Sequence, residues 1–124
     1  MTGNATTPLR ATAPEAIHDA TRDAYVDREG LGTGEGFRAA ADAAYTATLT
    51  HLYWHLRRHA DEYRATAAFR KAHERWNANR DDQRLYAKAA VHEFYVRGVE
   101  AAARDVAALL GVPEHEIERE TETP

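Results

Sequence analysis

The stretch FRAAADAAYTATLTHLYWHLRRHADEYRATAAFRKAHERWN, residues 37–77, decides the fold. Its apolar residues recur at spacings of three, four or seven, which is the pattern of a helix that buries one face. In the first part of the stretch these residues are Tyr45, Leu49, Leu52, Leu56 and Tyr63. The pattern predicts a long helix that begins near Phe37 and ends near Asn77.

The apolar stripe changes direction after Arg64. The later apolar residues are Ala65, Phe69, Ala72 and Trp76, and they lie well round the helical wheel from the earlier ones. A single straight helix cannot turn both sets of residues towards one core. We therefore expect the helix to bend or break near residues 64–66, or its second half to pack on something different.

A second long helix should follow the polar turn Asn77–Asp82 and run from about Asp82 to Leu110. Asp82 is a favourable N-cap, and Gly111 followed by Pro113 is a strong stop signal. The residues that we expect on its buried face are Leu85, Ala89, His92, Tyr95, Val96, Val99, Ala103, Val106 and Leu110.

Shorter elements are predicted at both ends of the chain. Thr12-x-x-Glu15 has the form of a capping box, which predicts a helix to about Asp27 with a buried face. The residues expected on that face are Ile17, Ala20, Thr21, Ala24 and Tyr25. The glycines of residues 30–36 predict a flexible connector, and residues 113–119 predict a short C-terminal helix.

The predicted fold is therefore all-α, a small helical bundle with two long antiparallel helices, a short N-terminal helix and a short C-terminal helix. We expect a flexible tail over residues 1–11, a single helical domain over residues 12–119 and an acidic tail over residues 120–124. Alanine-rich helices bury little apolar area per residue, which raises the expectation of a homo-oligomer.

Composition excludes several classes of protein. The 124 residues include no cysteine, so disulfides and thiolate metal sites are excluded. The N-terminus lacks the basic and apolar regions of a signal peptide, and no apolar run approaches the length of a membrane span. We therefore expect a soluble cytoplasmic protein with no membrane partner.

Three histidines, His51, His55 and His59, follow one another at intervals of four residues. Imidazoles at this spacing share one side of a helix and suit divalent transition metals. His55, His59 and Glu62 are the best placed, and His92 on the second long helix could complete the shell. The simpler interpretation, which we favour, makes His51 and His55 boundary residues and His92 a hydrogen-bonded core histidine.

The segment from Arg57 to Arg84 has eight basic residues against five acidic ones, with aromatic residues between them. Such a segment could contact nucleic-acid phosphates. Six candidate contacts are Arg57, Arg58, Arg64, Arg70, Lys71 and Arg75. The net charge of −4 disfavours this hypothesis, and the interspersed acids favour a salt-bridged helix instead.

Two large aromatic residues lie on the side of their helix away from the predicted core, Trp54 on the first long helix and Phe94 on the second. Aromatic residues are enriched where proteins bind each other. With Phe69 and Trp76 they predict an interface for a second copy or for another protein.

Catalytic signatures are lacking, since the chain contains no serine and no nucleophile motif. The leading hypothesis is thus a non-enzymatic interaction or assembly protein that needs no cofactor. A histidine and carboxylate metal-binding bundle and a nucleic-acid-contacting subunit are the alternatives.

Overall fold

The computed structural model describes residues 9–29 and 34–121, and these residues form five helices and no strand. The helices are α1 (Glu15–Glu29), α2 (Gly34–Arg64), α3 (Ala67–Ala78), α4 (Gln83–Leu110) and α5 (Glu114–Glu120). The prediction of a small all-α bundle is confirmed. Residues 1–8, 30–33 and 122–124, which include most of the predicted N-terminal tail, connector and acidic tail, lie outside the described residues.

The predicted break in the first long helix is confirmed, because α2 ends at Arg64 and α3 begins at Ala67. Thr66 has extended backbone angles, φ −68° and ψ 150°, and its hydroxyl accepts a hydrogen bond from the Phe69 N–H at 3.3 Å. Thr66 is thus the N-cap of α3. Its side chain provides the stop that no proline or glycine provides in this stretch.

The bounds of the second long helix follow its predicted caps. The Asp82 carboxylate accepts hydrogen bonds from the N–H groups of Arg84 and Leu85 at 2.9 and 3.3 Å, as an N-cap does. At the other end Gly111 adopts φ +76°, and its N–H donates to the carbonyl oxygens of Ala107 and Ala108. A left-handed glycine of this kind is a common C-terminal cap.

The chain divides into two compact units. Unit 1 comprises residues 1–51 and 106–124, and unit 2 comprises Leu52–Asp105. In unit 1 the segment before α1 packs on α2, since the N–H groups of Ala11 and Ala13 donate to Thr46 Oγ1 and Asp42 Oδ1, each at 2.8 Å. Both alanines are buried, as is Ile117 on α5.

In unit 2 the C-terminal part of α2 runs antiparallel to α4. Arg57 approaches Glu100, whereas Arg64, further along α2, also reaches Glu93, earlier on α4. Ala60 on α2, Phe69 on α3 and Val96 on α4 meet in the core of this unit. The small side chain of Ala60 at this point lets the helices approach closely, which compensates for their limited apolar volume.

Several predicted faces differ from the observed ones. In α1 Ile17 is exposed and His18 is buried instead, because His18 has polar partners on α2. In α2 the fully buried residue is Tyr53, while its neighbour Leu52 is exposed. In α4 Tyr95 is 46% exposed, because it lies at the edge of the buried face, where its hydroxyl meets a histidine.

We expect Thr66→Ala to lower the free energy of unfolding by about 1 kcal/mol, because it removes the side-chain cap of α3. Urea unfolding followed by circular dichroism at fixed protein concentration measures the change. Thr48→Ala is the matched control, since the exposed Thr48 hydroxyl donates only to the Ala44 carbonyl within α2. Equal losses in the two variants would contradict the capping role of Thr66.

Candidate functional site

Unit 2 has a chain of aromatic and imidazole rings where α2, α3 and α4 meet. The Tyr63 ring lies 4.6 Å from the Tyr95 ring and 5.8 Å from the His92 ring, measured between centroids. The Tyr63 hydroxyl and His92 Nδ1 are 2.6 Å apart, and His59 Nε2 and the Tyr95 hydroxyl are 2.7 Å apart. The cluster joins α2 to α4 through two phenol–imidazole hydrogen bonds.

These hydrogen bonds involve two of the four predicted metal ligands. His59 and His92 each share one ring nitrogen with a tyrosine hydroxyl. His55 and Glu62 lie on exposed positions of α2. Among residues 9–23 and 36–121, whose side chains are described, no group of three or more histidine, aspartate or glutamate side chains is placed to hold a metal ion. The metal site remains a prediction.

A charged network borders the ring cluster. Arg64 donates to both carboxylate oxygens of Glu100, at 2.6 and 3.2 Å, and lies 3.6 Å from Glu93. The Arg64 guanidinium, chiefly through its hydrogen bonds, holds the pKa of the Glu100 carboxyl below its ordinary value. The Glu93 carboxylate has a further neighbour, because His73 Nε2 lies 3.4 Å from Glu93 Oε1. The network fixes the end of α2 against α4.

The predicted nucleic-acid contacts separate into two groups. Arg57 and Arg64 approach Glu100 and are thus engaged inside unit 2. The other four are exposed and form no ion pair within the described part of the chain; they are Arg58, Arg70, Lys71 and Arg75. Nucleic-acid binding therefore remains a prediction with fewer available cations than the sequence indicates.

The predicted interface residues also separate. Phe69 lies in the core of unit 2, and Trp54 packs edge-on against Tyr53 with ring centroids 5.5 Å apart. Trp76 and Phe94 come together, because both line a hollow of about 320 Å³ between α3 and α4. Tyr86 also lines the hollow, and the centroid of its ring lies 5.2 Å from that of Trp76. The Trp76 indole nitrogen is buried without a hydrogen-bond partner among the described residues.

The outer side of α4 has an exposed stripe, here called the outer seam. Its members are Ala87, Val91, Phe94, Gly98 and Ala101, at successive intervals of four, three, four and three residues; the first four are exposed and Ala101 is half-buried. This is the heptad spacing by which helices pair. Val91 and Phe94 are 67% and 64% exposed. The outer seam is therefore an apolar helix face without a partner in the described residues.

The core seam of α4 follows the same rule on the opposite side. Ala89, Val96 and Ala103 are buried, with His92 and Val99 half-buried between them. Their intervals are again four and three residues. One helix thus has two apolar seams, and only one of them packs inside the described chain. In the sequence, Phe94 alone indicated the outer seam. The alanine and glycine residues that complete the seam are too small to stand out as an apolar pattern.

A further polar cluster, in unit 1, was not predicted as a site. His18 is only 2% exposed, and its Nε2 lies 2.7 Å from Asp42 Oδ1. Its Nδ1 lies 3.4 Å from Glu15 and 3.3 Å from Arg38, which also donates to Glu15 at 2.9 Å. Glu15, expected in a capping box, thus joins α1 to α2 instead. The buried position of His18 could not be read from its surroundings in α1.

In this cluster the pKa of His18 is raised and the pKa of Asp42 is lowered. Hydrogen bonding to Asp42 raises the pKa of His18 above its ordinary 6.5, against the opposing effect of desolvation. The hydrogen bond from the Ala13 N–H, followed by that of His18, lowers the pKa of Asp42 below its ordinary 3.8. Between these ordinary values the pair is imidazolium with carboxylate. The pair therefore contributes to folding in that pH range.

Comparison with protein-family models, with curated proteins and with solved structures found no match for this chain. Within the described residues no helix combines the length and apolar character needed to cross a membrane.

His18→Gln should destabilise the protein more at pH 5.5 than at pH 9. A raised histidine pKa contributes stability that is complete below the ordinary pKa of 6.5 and is lost as pH rises through the folded-state pKa. The lowered pKa of Asp42 keeps its carboxylate charged at pH 5.5, because that contribution is lost only as pH falls through the folded-state value. Urea midpoints of both proteins at the two pH values provide the test.

The control for this comparison is His115→Gln, a change at an exposed histidine of α5 in the same unit. We expect this variant to follow the wild type at both pH values. A His18→Gln deficit that is the same at pH 5.5 and pH 9 would contradict the charged pair.

Proposed function

We propose that this protein is a non-enzymatic assembly protein that forms an antiparallel homodimer through the outer seam of α4. The observation that carries the proposal is the exposed heptad pattern centred on Phe94. Burying large apolar side chains is the main driving force of association, and aromatic residues dominate many interfaces. Val91 and Phe94 are the two most exposed of the large apolar residues described.

The outer seam has a shape that complements itself. Phe94 is the bulkiest member, and Gly98, one turn later, is the smallest. A Cβ added at Gly98 would meet nothing within 4 Å, so the space above it is open. With a two-fold axis midway between these positions, each Phe94 would lie over Gly98 of the other copy. A two-fold interface requires this kind of self-complementary pairing.

The charges at the ends of the outer seam favour the antiparallel direction. Arg84 lies at its beginning and Asp105 at its end, and neither forms an ion pair in the described part of the chain. Antiparallel pairing brings Arg84 of one copy to within about one helical turn of Asp105 of the other. Parallel pairing would instead bring like charges together, which is unfavourable.

The hollow beside the outer seam extends the proposed interface towards α3. Tyr86, Ala90 and Phe94 form its α4 side and Trp76 its α3 side. A second copy packed on Phe94 would also cover part of this hollow, and aromatic residues around an anchor are typical of interface centres. The proposal thus uses two of the four predicted interface residues, Phe94 and Trp76.

Phe94→Asp should convert a dimer into a monomer, because each interface would then bury two unpaired carboxylates. Size exclusion with light scattering should give about twice the chain mass of 13.9 kDa for the wild type and a single chain mass for the variant. Trp76→Ala should weaken the dimer without abolishing it.

Leu52→Asp is the matched control. Leu52 is a 40% exposed apolar residue of α2, a helix that contributes no residue to the outer seam. We expect this variant to keep the wild-type mass. A wild type that is monomeric at micromolar to millimolar concentration, or a Phe94→Asp variant with unchanged mass, would overturn the proposal.

A further inference from the structure

An open groove between α3 and α4, which shares Val91 with the outer seam, has a volume of about 410 Å³. This volume lies within the range of small-molecule sites, roughly 300–1,000 Å³. All of its lining residues belong to unit 2. Four of them are aliphatic and provide an apolar floor, namely Ala68, Ala72, Leu85 and Val91.

Three cations surround this floor. Lys71 and Arg75 lie four residues apart on α3, and Lys88 lies on α4. No acidic residue lines the groove, and none of the three forms an ion pair in the part of the chain that the structure describes. Like charges four residues apart on a helix repel each other. A bound anion would relieve this repulsion.

His92 provides a fourth polar group in the lining. The hydrogen bond between its Nδ1 and the Tyr63 hydroxyl, 2.6 Å long, fixes the orientation of its ring. The groove therefore has a polar rim that consists of one imidazole of fixed orientation and three flexible cationic side chains. An amphiphile with one anionic group matches both the apolar floor and this polar rim.

We propose that this groove binds the anion of a medium-chain fatty acid, with the carboxylate among Lys71, Arg75 and Lys88 and the alkyl chain on the apolar floor. From Ala68 to Arg75 the α3 wall rises about 10 Å at 1.5 Å per residue, which suits an extended chain of about eight to ten carbons. Arginine and lysine provide charge-assisted hydrogen bonds to carboxylates.

The chemistry of the groove favours this occupant over other anions. Single-stranded nucleic acid binds on aromatic stacking platforms, and the only aromatic ring in the lining is the imidazole of His92. Inorganic phosphate alone would leave the apolar floor uncovered. Binding of an amphiphile combines ion pairing with the burial of apolar area.

Calorimetric titration of the intact protein with sodium decanoate, below its micelle concentration and at low salt, tests the proposal. We expect saturable binding of one decanoate per chain. Decanol should bind about tenfold more weakly or worse, because it lacks the charge. Inorganic phosphate should give no saturable heat. No saturable binding of decanoate, or equal binding of decanol, would overturn the proposal.

The double variant Lys71→Gln/Arg75→Gln should weaken decanoate binding about tenfold or more, because two charge-assisted contacts are lost. Arg58→Gln/Arg70→Gln is the matched control: it removes two exposed cations of the same segment that do not line the groove. An equal loss in both double variants would show non-specific attraction and overturn the site. The Phe94→Asp variant should bind decanoate normally, so failure of the dimer and failure of the groove are distinguishable.

Discussion

The turn at Ala65 and Thr66 is the constraint on which unit 2 depends. Because the apolar stripe changes direction after Arg64, a continuous helix would expose Phe69 to water. Thr66 caps a new helix, α3, which starts in a different direction from α2. Phe69 can then pack on Ala60 and Val96 in the core of unit 2. The groove and the hollow both lie between α3 and α4, so both exist only because the helix stops here.

Much of this fold could be predicted from the order of apolar residues. The spacing of three and four residues predicted both long helices, and the shift after Arg64 predicted the break. Asp82 and Gly111 gave the bounds of α4 because their caps act locally. The faces of α1 could not be predicted in the same way. His18 is buried because Asp42, 24 residues away in the chain, provides its partner.

The histidines show why spacing alone does not define a site. A run of imidazoles at intervals of four residues predicts a shared helix face, and His59 does point towards α4. The hydroxyl groups that meet His59 and His92 belong to Tyr95 and Tyr63. The sequence pattern placed both tyrosines among the apolar residues of a core stripe. It could not predict that their hydroxyl groups would form hydrogen bonds with histidines on another helix.

Gly98 has a consequence for the dynamics of α4. Glycine weakens a helix by about 1 kcal/mol relative to alanine, and the open space around Gly98 shows no contact within the chain that requires it. The helix therefore has a local weak point in the middle of its outer seam. Amide hydrogens around Gly98 should exchange with solvent faster than those beside Val96 and Ala103. A partner packed over Gly98 would close the same weak point, so the exchange rate there reports assembly directly.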